Sequence, residues 1–443
     1  MVTTSVVTPA THNTASVDGD APRRTWMQGA LLWVAALFLF SIVLAGPLRF
    51  ALVRNGAAVL LYLPRALLLV AFVLAPVARG KVSRSFVVMS VATLVYVVVG
   101  AARLSGGVMQ ALFGLWVFAP LLYGLLVGPV LLDELRRFRH LILVLFWVAC
   151  VGVVASMFVK FPWSGFAYNL AGSSIEASRQ WGAFGVNRPA GFARASFSAA
   201  HQFLLFGIFL TVTAKSAWRR VLIWVVAGAG IVLTTSKGPA GAWLLVSLYL
   251  VTRRLGFRRS WNIVVILLAA SIVVVPLSTL AVAYDPTFNN FSSQLLFTSF
   301  GDRLVWMWPR SFALLSGWTQ WLTGIGLGGI GAPQLYFDTA RYLPADNLFV
   351  YLCVDFGVLV ALLFVAWVAF SAFGPRRHDH SLRLFTSPLL LATLAAGGTA
   401  TIVEGATFAF FLGLSLAGAT MARSEVGLWR LRGARAQARG LRE

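Results

Sequence analysis

Along nearly its whole length the chain repeats one pattern, an apolar run of about twenty residues closed by a short basic or glycine-containing break. A run of that length crosses the hydrocarbon core of a bilayer as a helix. Backbone groups in lipid must bond to one another, which leaves helices or closed barrels, and barrel strands would give short alternating segments instead. With 59% hydrophobic and 11% charged residues, the composition has no room for a soluble domain of ordinary size. The expected fold class is therefore an all-α polytopic integral membrane protein.

The length criterion gives about twelve transmembrane helices. They lie near 27–46, 57–77, 85–101, 111–131, 141–160, 198–214, 220–236, 238–252, 262–283, 347–372, 384–402 and 404–421. Basic residues then decide the orientation. Arg79, Lys81 and Arg84, Arg136 to Arg139, Lys215 to Arg220, Arg253 to Arg259, and Arg376 to Arg383 fall in alternate connections. By the positive-inside rule those connections face the cytoplasm, with both termini. The same bias accounts for the net charge of +22, so nucleic acid is not expected as a partner.

Residues 1–25 are polar, lack an early apolar core, and read as a disordered cytoplasmic tail rather than a cleavable signal peptide. Residues 26–421 form the transmembrane domain, and 422–443 a basic cytoplasmic tail beside the membrane lipid. Two long connections, 161–197 and 284–346, fall outside, the second between spans 9 and 10. Loops of that length in a compact bundle are commonly functional. Trp306, Trp308, Trp318 and Trp321 suit short interfacial helices in the second. Cys150 and Cys353 both lie within spans and define neither a disulfide framework nor a metal site.

Polar chemistry is concentrated in the stretch from Gly301 to Gly357 and in a few charges facing it. Arg194, with Arg188 nearby, is either an arginine reaching lipid headgroups or a phosphate ligand, since guanidinium donors match phosphate oxygens in pairs. Lys237, between two apolar helices with almost no loop, is either a turn residue reaching water or a cation at the outer mouth of the bundle. Asp302 would cap a helix carrying Arg303 and Trp306, with Arg303 either solvated or a second phosphate ligand.

The Gly324–Gly331 turn matches the dinucleotide fingerprint only formally, because no βαβ unit surrounds it; close backbone packing is the better reading. Asp346 and Asn347 read as a helix cap, and Asp346 equally as a general base. Glu404 is the other outer carboxylate near lipid depth, able to pair with a cation or serve as base. His201 reads as an ordinary helix residue.

The order of these pieces resembles the O-antigen ligase and O-antigen polymerase superfamily. The resemblance rests on Arg194 in Arg-Ala-Ser-Phe, Ser236-Lys237-Gly238, Asp302-Arg303 with Trp306, the Gly324–Gly331 turn, Asn347, and Asp355-Phe356-Gly357. It implies a bacterial inner-membrane enzyme that needs no metal, nucleotide or other cofactor. The donor would be an undecaprenyl-diphosphate-linked glycan, and transfer would occur at the periplasmic face.

The acceptor would be another lipid-linked repeat in a polymerase or the lipid A-core in a ligase, with a chain-length regulator as a further partner. On that reading Asp346, Arg303, Arg194 and Lys237 are catalytic, with Arg188, Asn347, Trp306 and Glu404 in substrate binding. The family often carries histidine before the asparagine and arginine in the turn. Here those positions are Asp346 and Lys237, which favours the polymerase. A non-enzymatic transporter of lipid-linked glycans is the competing class. No pair of Gly/Pro-interrupted spans at matching positions speaks for it.

Overall fold

The computed structural model describes residues 21–79, 84–170, 173–179, 181–183, 186–288, 290–373 and 380–420. The tails beyond these, including most of both predicted ones, lie outside the described residues, although Ala21 to Arg24 already belong to the first helix. Six helices are long and apolar enough to cross a membrane: α1 (Ala21–Val43), α4 (Arg84–Arg103), α5 (Gly107–Asp133), α6 (Leu135–Phe158), α7 (Ser196–Thr213) and α10 (Arg258–Ser278). Shorter apolar helices include α3 (Leu63–Arg79), α16 (Val358–Phe373), α17 (His380–Gly397) and α18 (Ala406–Thr420). The chain is a multi-pass membrane protein. Helices α2 (Ala45–Arg54), α8 (Ala217–Leu233) and α9 (Lys237–Thr252) complete the bundle.

Burial sorts the helices into centre and periphery. In α5 and α7, 78% of the apolar window is buried within the protein, whereas in α4 only 6% is. A helix apolar on all sides belongs in a core or in lipid, and α4 takes the second course, presenting Val88, Val91, Leu94, Val95 and Val98 outward. In the centre α5 and α18 meet through small residues. A side chain at Gly124 would overlap the backbone of Phe410, and one at Gly413 the backbone of Leu121. Around this pair α7 packs on α6 and α8, and α17 on α7, α9 and α16.

Two expectations need correction, and one connection carries strands that the sequence reading did not assign. The run 347–372 is not one straight span but two helices, α15 (Leu348–Phe356) and α16, broken at Gly357, where φ is +86°. A Cβ at Gly357 would overlap Leu322 backbone, so an unbroken side-chain-bearing helix has no space there. The connection 161–197 is not free of strand: β1 (Ala167–Leu170) pairs with β2 (Ser173–Glu176), and β3 (Trp181–Ala183) with β4 (Val186–Arg188), both antiparallel. Asp302 caps nothing. It ends α11 (Phe291–Asp302) and runs directly into a wide π-type turn over Arg303–Met307, then α12 (Trp308–Phe312).

The connection 284–346 is folded upon the bundle. After α12 come α13 (Trp318–Thr323) and α14 (Ala332–Phe337), with the glycine turn between them. That turn is wedged among α4, α5 and α15, and much of its backbone is hydrogen-bonded to them. Ile325 N–H donates to Val354 O at 2.8 Å, Gly326 N–H to Asp355 O at 3.1 Å and Leu327 N–H to Tyr96 O at 3.0 Å. Gly329 N–H donates to Asp355 Oδ1 at 2.8 Å, while Gln110 Nε2 donates to Gly328 O at 2.9 Å. Arg103 donates to Gly324 O. Asp355 is fully buried, so its carboxylate serves as the clasp of this turn.

Close approach is what demands glycine here. A Cβ at Gly326, where φ is +101°, would overlap the backbone of Gly100. Gly326→Ala is expected to lower stability by about 3 kcal/mol, combining overpacking with the left-handed backbone. Gly238→Ala, whose nearest neighbour would be Thr399 Oγ1 at 3.5 Å, serves as the tolerated control. Thermal melts of both purified variants test this; equal midpoints would show that the wedge is not tight.

Candidate functional site

The connections 161–197, 234–237, 303–347 and 398–405 bring the sequence candidates to one end of the bundle, together with two arginines the sequence reading passed over. The segment Gly191–Ala195 is pressed onto α6: a Cβ at Gly191 would lie 2.7 Å from backbone atoms of Gly152 and Val153. Gly46 N–H holds Phe192 O at 2.8 Å, and Arg179 N–H holds Arg194 O at 2.7 Å. Arg194 is thereby fixed against the start of α2, facing Arg49. Its Nε is buried and has no hydrogen-bond partner.

Arg49 donates to the Tyr168 hydroxyl at 3.2 Å, which links α2 to the first hairpin. Burial first, and Arg194 second, hold the Arg49 guanidinium below the ordinary arginine value. Arg65, one residue after Pro64 in the first turn of α3, completes the group and interacts electrostatically with Arg49, Arg194, Glu404 and Tyr336. Among the described residues, no carboxylate lies within ion-pair distance of Arg49, Arg65 or Arg194. Three arginines with only Glu404 acting on one of them from beyond ion-pair distance are costly in a partly desolvated place unless an anion completes them.

A second cationic group gathers Lys237, Arg188 and Arg303. Lys237 is the first residue of α9 and is repelled by both of the others. The preceding turn runs through Thr235 at φ +53°, unusual for a β-branched residue. Arg303 sits in the π-type turn, an arrangement frequent at functional sites. Its Nη2 donates to Asp346 Oδ2 at 2.9 Å, and its Nη1 to Ser299 O at 2.6 Å. The Arg303 Nε is buried without a partner. Trp308 Nε1 donates to Ala345 O at 3.0 Å and so anchors the turn beside Asp346. Trp306 stands under the Arg310 guanidinium, 5.9 Å from ring centroid to Cζ.

Asp346 adopts φ +43° and its N–H donates to Thr401 Oγ1 at 2.9 Å. Asn347 is the helix cap that the sequence reading offered. It is fully buried; its Oδ1 caps α15 by accepting from Val350 N–H at 3.0 Å, and its Nδ2 donates to Ile272 O and Gly398 O. Both ends of the amide are used, so Asn347 is a scaffold residue joining α10, α15 and the α17–α18 turn. His201 is buried between Phe197 and Phe408, as an ordinary helix residue.

Glu404 lies in the α17–α18 turn, surrounded by protein. Its Oε1 accepts from Ala332 N–H at 2.6 Å, and a Cβ at Gly331 would overlap the carboxylate. Burial is the main reason its carboxyl is pushed up to about 7, with Asp346 raising it further and Arg65 opposing. Glu404 is the link between the two cationic groups, since it interacts with Arg65 on one side and Asp346 on the other. Arg194 thus stands with Arg49 and Arg65, and Lys237 with Arg188 and Arg303. Among the described residues no His/Cys/Asp/Glu cluster has the makings of a metal site.

The raised Glu404 value fixes a sign. The folded protein holds this proton between the unfolded value of 4.5 and about 7, so stability is greatest below 4.5 and falls as pH rises to about 7. The loss attributable to Glu404 is roughly 3 kcal/mol. Glu404→Gln keeps the acceptor for Ala332 and is expected to flatten the fall in melting temperature between pH 5 and 7. Parallel wild-type and variant profiles would show that Glu404 is not the group responsible.

No protein-family model and no curated protein matches the chain.

Proposed function

We propose that the protein is a polymerase of undecaprenyl-diphosphate-linked oligosaccharide repeats, working without a metal at the periplasmic face of a bacterial inner membrane. The single observation that carries this reading is the group Arg49, Arg65 and Arg194, which has a buried, unpartnered guanidinium nitrogen and, among the described residues, no carboxylate in ion-pair range. Such a group suits an anion whose charge grows during reaction. In the proposed fold twelve helices cross the membrane, both termini are cytoplasmic, and the two long connections cover the site from outside. The sequence resemblance to O-antigen polymerases and ligases supplies the substrate class.

The transfer is a single displacement with inversion. An acceptor sugar hydroxyl attacks the anomeric carbon, the new glycosidic C–O bond forms, and the bond to the diphosphate breaks. The electron pair leaves on the lipid diphosphate, where the guanidinium groups of Arg49, Arg65 and Arg194 stabilise it. The hydroxyl proton passes to the carboxylate pair. Glu404, with its carboxyl near 7, is matched to accept it at neutral pH, while Asp346 is held by Arg303 and orients the hydroxyl. Arg188 and Trp306 contact the glycan-bearing substrates.

Purified protein in lipid, supplied with lipid-linked repeat units, is expected to give a ladder of products. Transfer to lipid A-core instead would identify a ligase, and the absence of both would leave a transporter. Arg194→Ala is expected to lower the rate about a hundredfold, the cost of one preorganised donor. The rate should rise with pH through about 7 in the wild type, as Glu404 loses its proton. In Glu404→Gln that limb should vanish along with most of the rate. An unchanged acid limb in that variant would pass the base role to Asp346, which Asp346→Asn would test.

A further inference from the structure

The aromatic rings around the two carboxylates differ in what their faces are free to do. Among the described residues two tyrosines interact with Glu404, Tyr351 and Tyr342. Tyr351 is fully buried, its ring 6.0 Å from that of Phe118. Tyr342 is 39% exposed, and it interacts with Asp346 and Arg179 as well as with Glu404. The rings nearer the arginines are already engaged. Tyr336, which interacts with Arg49 and Arg65, lies 5.0 Å from the Phe113 ring, and Trp306 stands under Arg310. Tyr342 has no ring contact among the described residues.

The backbone fixes Tyr342 from both sides. Its N–H donates to Thr339 O at 3.3 Å, and the next N–H, of Leu343, donates to Oε1 of the buried Gln334 at 3.1 Å. Leu343 O accepts from Gly331 N–H at 3.2 Å, one residue before the amide that binds Glu404. Ring and carboxylate are therefore held by neighbouring bonds of one segment. Arg179 is tied through its N–H to Arg194 O, and among the described residues it has no ion pair.

We propose that Tyr342 is the platform for the acceptor sugar, its ring lying against a C–H face of the sugar while Arg179 donates to hydroxyls at the sugar's edge. This rests on the reading of the site as a glycan transferase, and it adds residues that position one substrate. The assignment to acceptor rather than donor follows from the neighbouring charges. A carboxylate activates an attacking hydroxyl, whereas guanidinium groups stabilise a departing diphosphate. Tyr342 interacts with both carboxylates, so the sugar over its ring is the one whose hydroxyl they reach. A sugar ring has apolar C–H faces and a polar rim, which matches an aromatic face flanked by a few placed donors. Because the segment is tied down beforehand, little ordering remains to be done on binding. Burial first, and Glu404 second, hold the Tyr342 hydroxyl above the ordinary tyrosine range, so it is a neutral donor at pH 7. The platform also sets specificity, since a sugar with axial hydroxyls on both faces has no apolar face to offer the ring.

The test uses the full chain in lipid nanodiscs, with lipid-linked repeat units as donor. The oligosaccharide released from them by mild acid lacks a diphosphate and serves as acceptor only. Tyr342→Leu, which keeps bulk and removes the ring, is expected to raise the acceptor KM about tenfold while the donor KM and the melting temperature stay at wild-type values. Tyr342→Phe should remain near wild type. Arg179→Gln should raise the same KM, and it carries the test if the leucine variant does not fold. An unchanged acceptor KM in a folded variant at either position overturns the inference. So does an equal rise in both KM values, or a phenylalanine variant as impaired as the leucine one. If the wild type transfers no sugar, calorimetric binding of the released oligosaccharide decides. Binding weakened about tenfold in Tyr342→Leu keeps the platform without the polymerase, and no binding to the wild type overturns the platform as well. Transfer by Tyr342→Leu with a wild-type acceptor KM removes the platform and keeps the polymerase.

Discussion

Non-helical backbone inside an apolar bundle must find every hydrogen-bond partner within the protein, and this constraint shapes the outer half of the molecule. The glycine turn meets it by pressing its amides and carbonyls onto the end of α15 and the flanks of α4 and α5. Asp355 closes the accounting by accepting from Gly329. Because the turn is held in this way, the segment that follows it is held too. Gly331 and Ala332 pack on Glu404, Ala345 receives Trp308, and Asp346 arrives beside Arg303. A loop of over sixty positions between α10 and α15 thus becomes as well tethered as the helices beneath it.

The charges at that end have the opposite character. At that end of the bundle arginine outnumbers carboxylate among the described residues. In a medium of reduced dielectric such a group draws anions over a longer range than it would in bulk water. Under the proposed function, an amphiphile with a long hydrocarbon tail and a phosphorylated head would engage the apolar helices and the cations together.

Much of this was legible in the sequence, for physical reasons that differ from residue to residue. Charged residues stand out in a chain this apolar, so Arg194, Lys237, Arg303, Asp346 and Glu404 could be picked out singly. Their pairing could not, since Arg303 and Asp346 are 43 residues apart and only the folded loop joins them. Arg49 and Arg65 were missed although the signal was present. Arg49 lies in the connection between the first two apolar runs and Arg65 inside the second, where a charged residue is exceptional. The break at Gly357 was hidden because the run around it is apolar on both sides. The hairpins in 161–197 were hidden because strands of three or four residues carry almost no periodic signal. Asn347 could be read as a cap, but only the three-dimensional structure reveals that its Nδ2 also binds Ile272 O and Gly398 O.

The left-handed backbone at Asp346 has a consequence of its own. Glycine would occupy that conformation without penalty, and an L-residue carries a cost of roughly 1–2 kcal/mol there. Neither the tether from its N–H to Thr401 nor the passage into α15 requires a side chain, because both are made by the backbone. What glycine could not supply is the carboxylate, which meets Arg303 at 2.9 Å and ties residue 346 to a turn 43 positions earlier. The strained backbone at 346 is thus the cost of setting a negative charge beside that guanidinium.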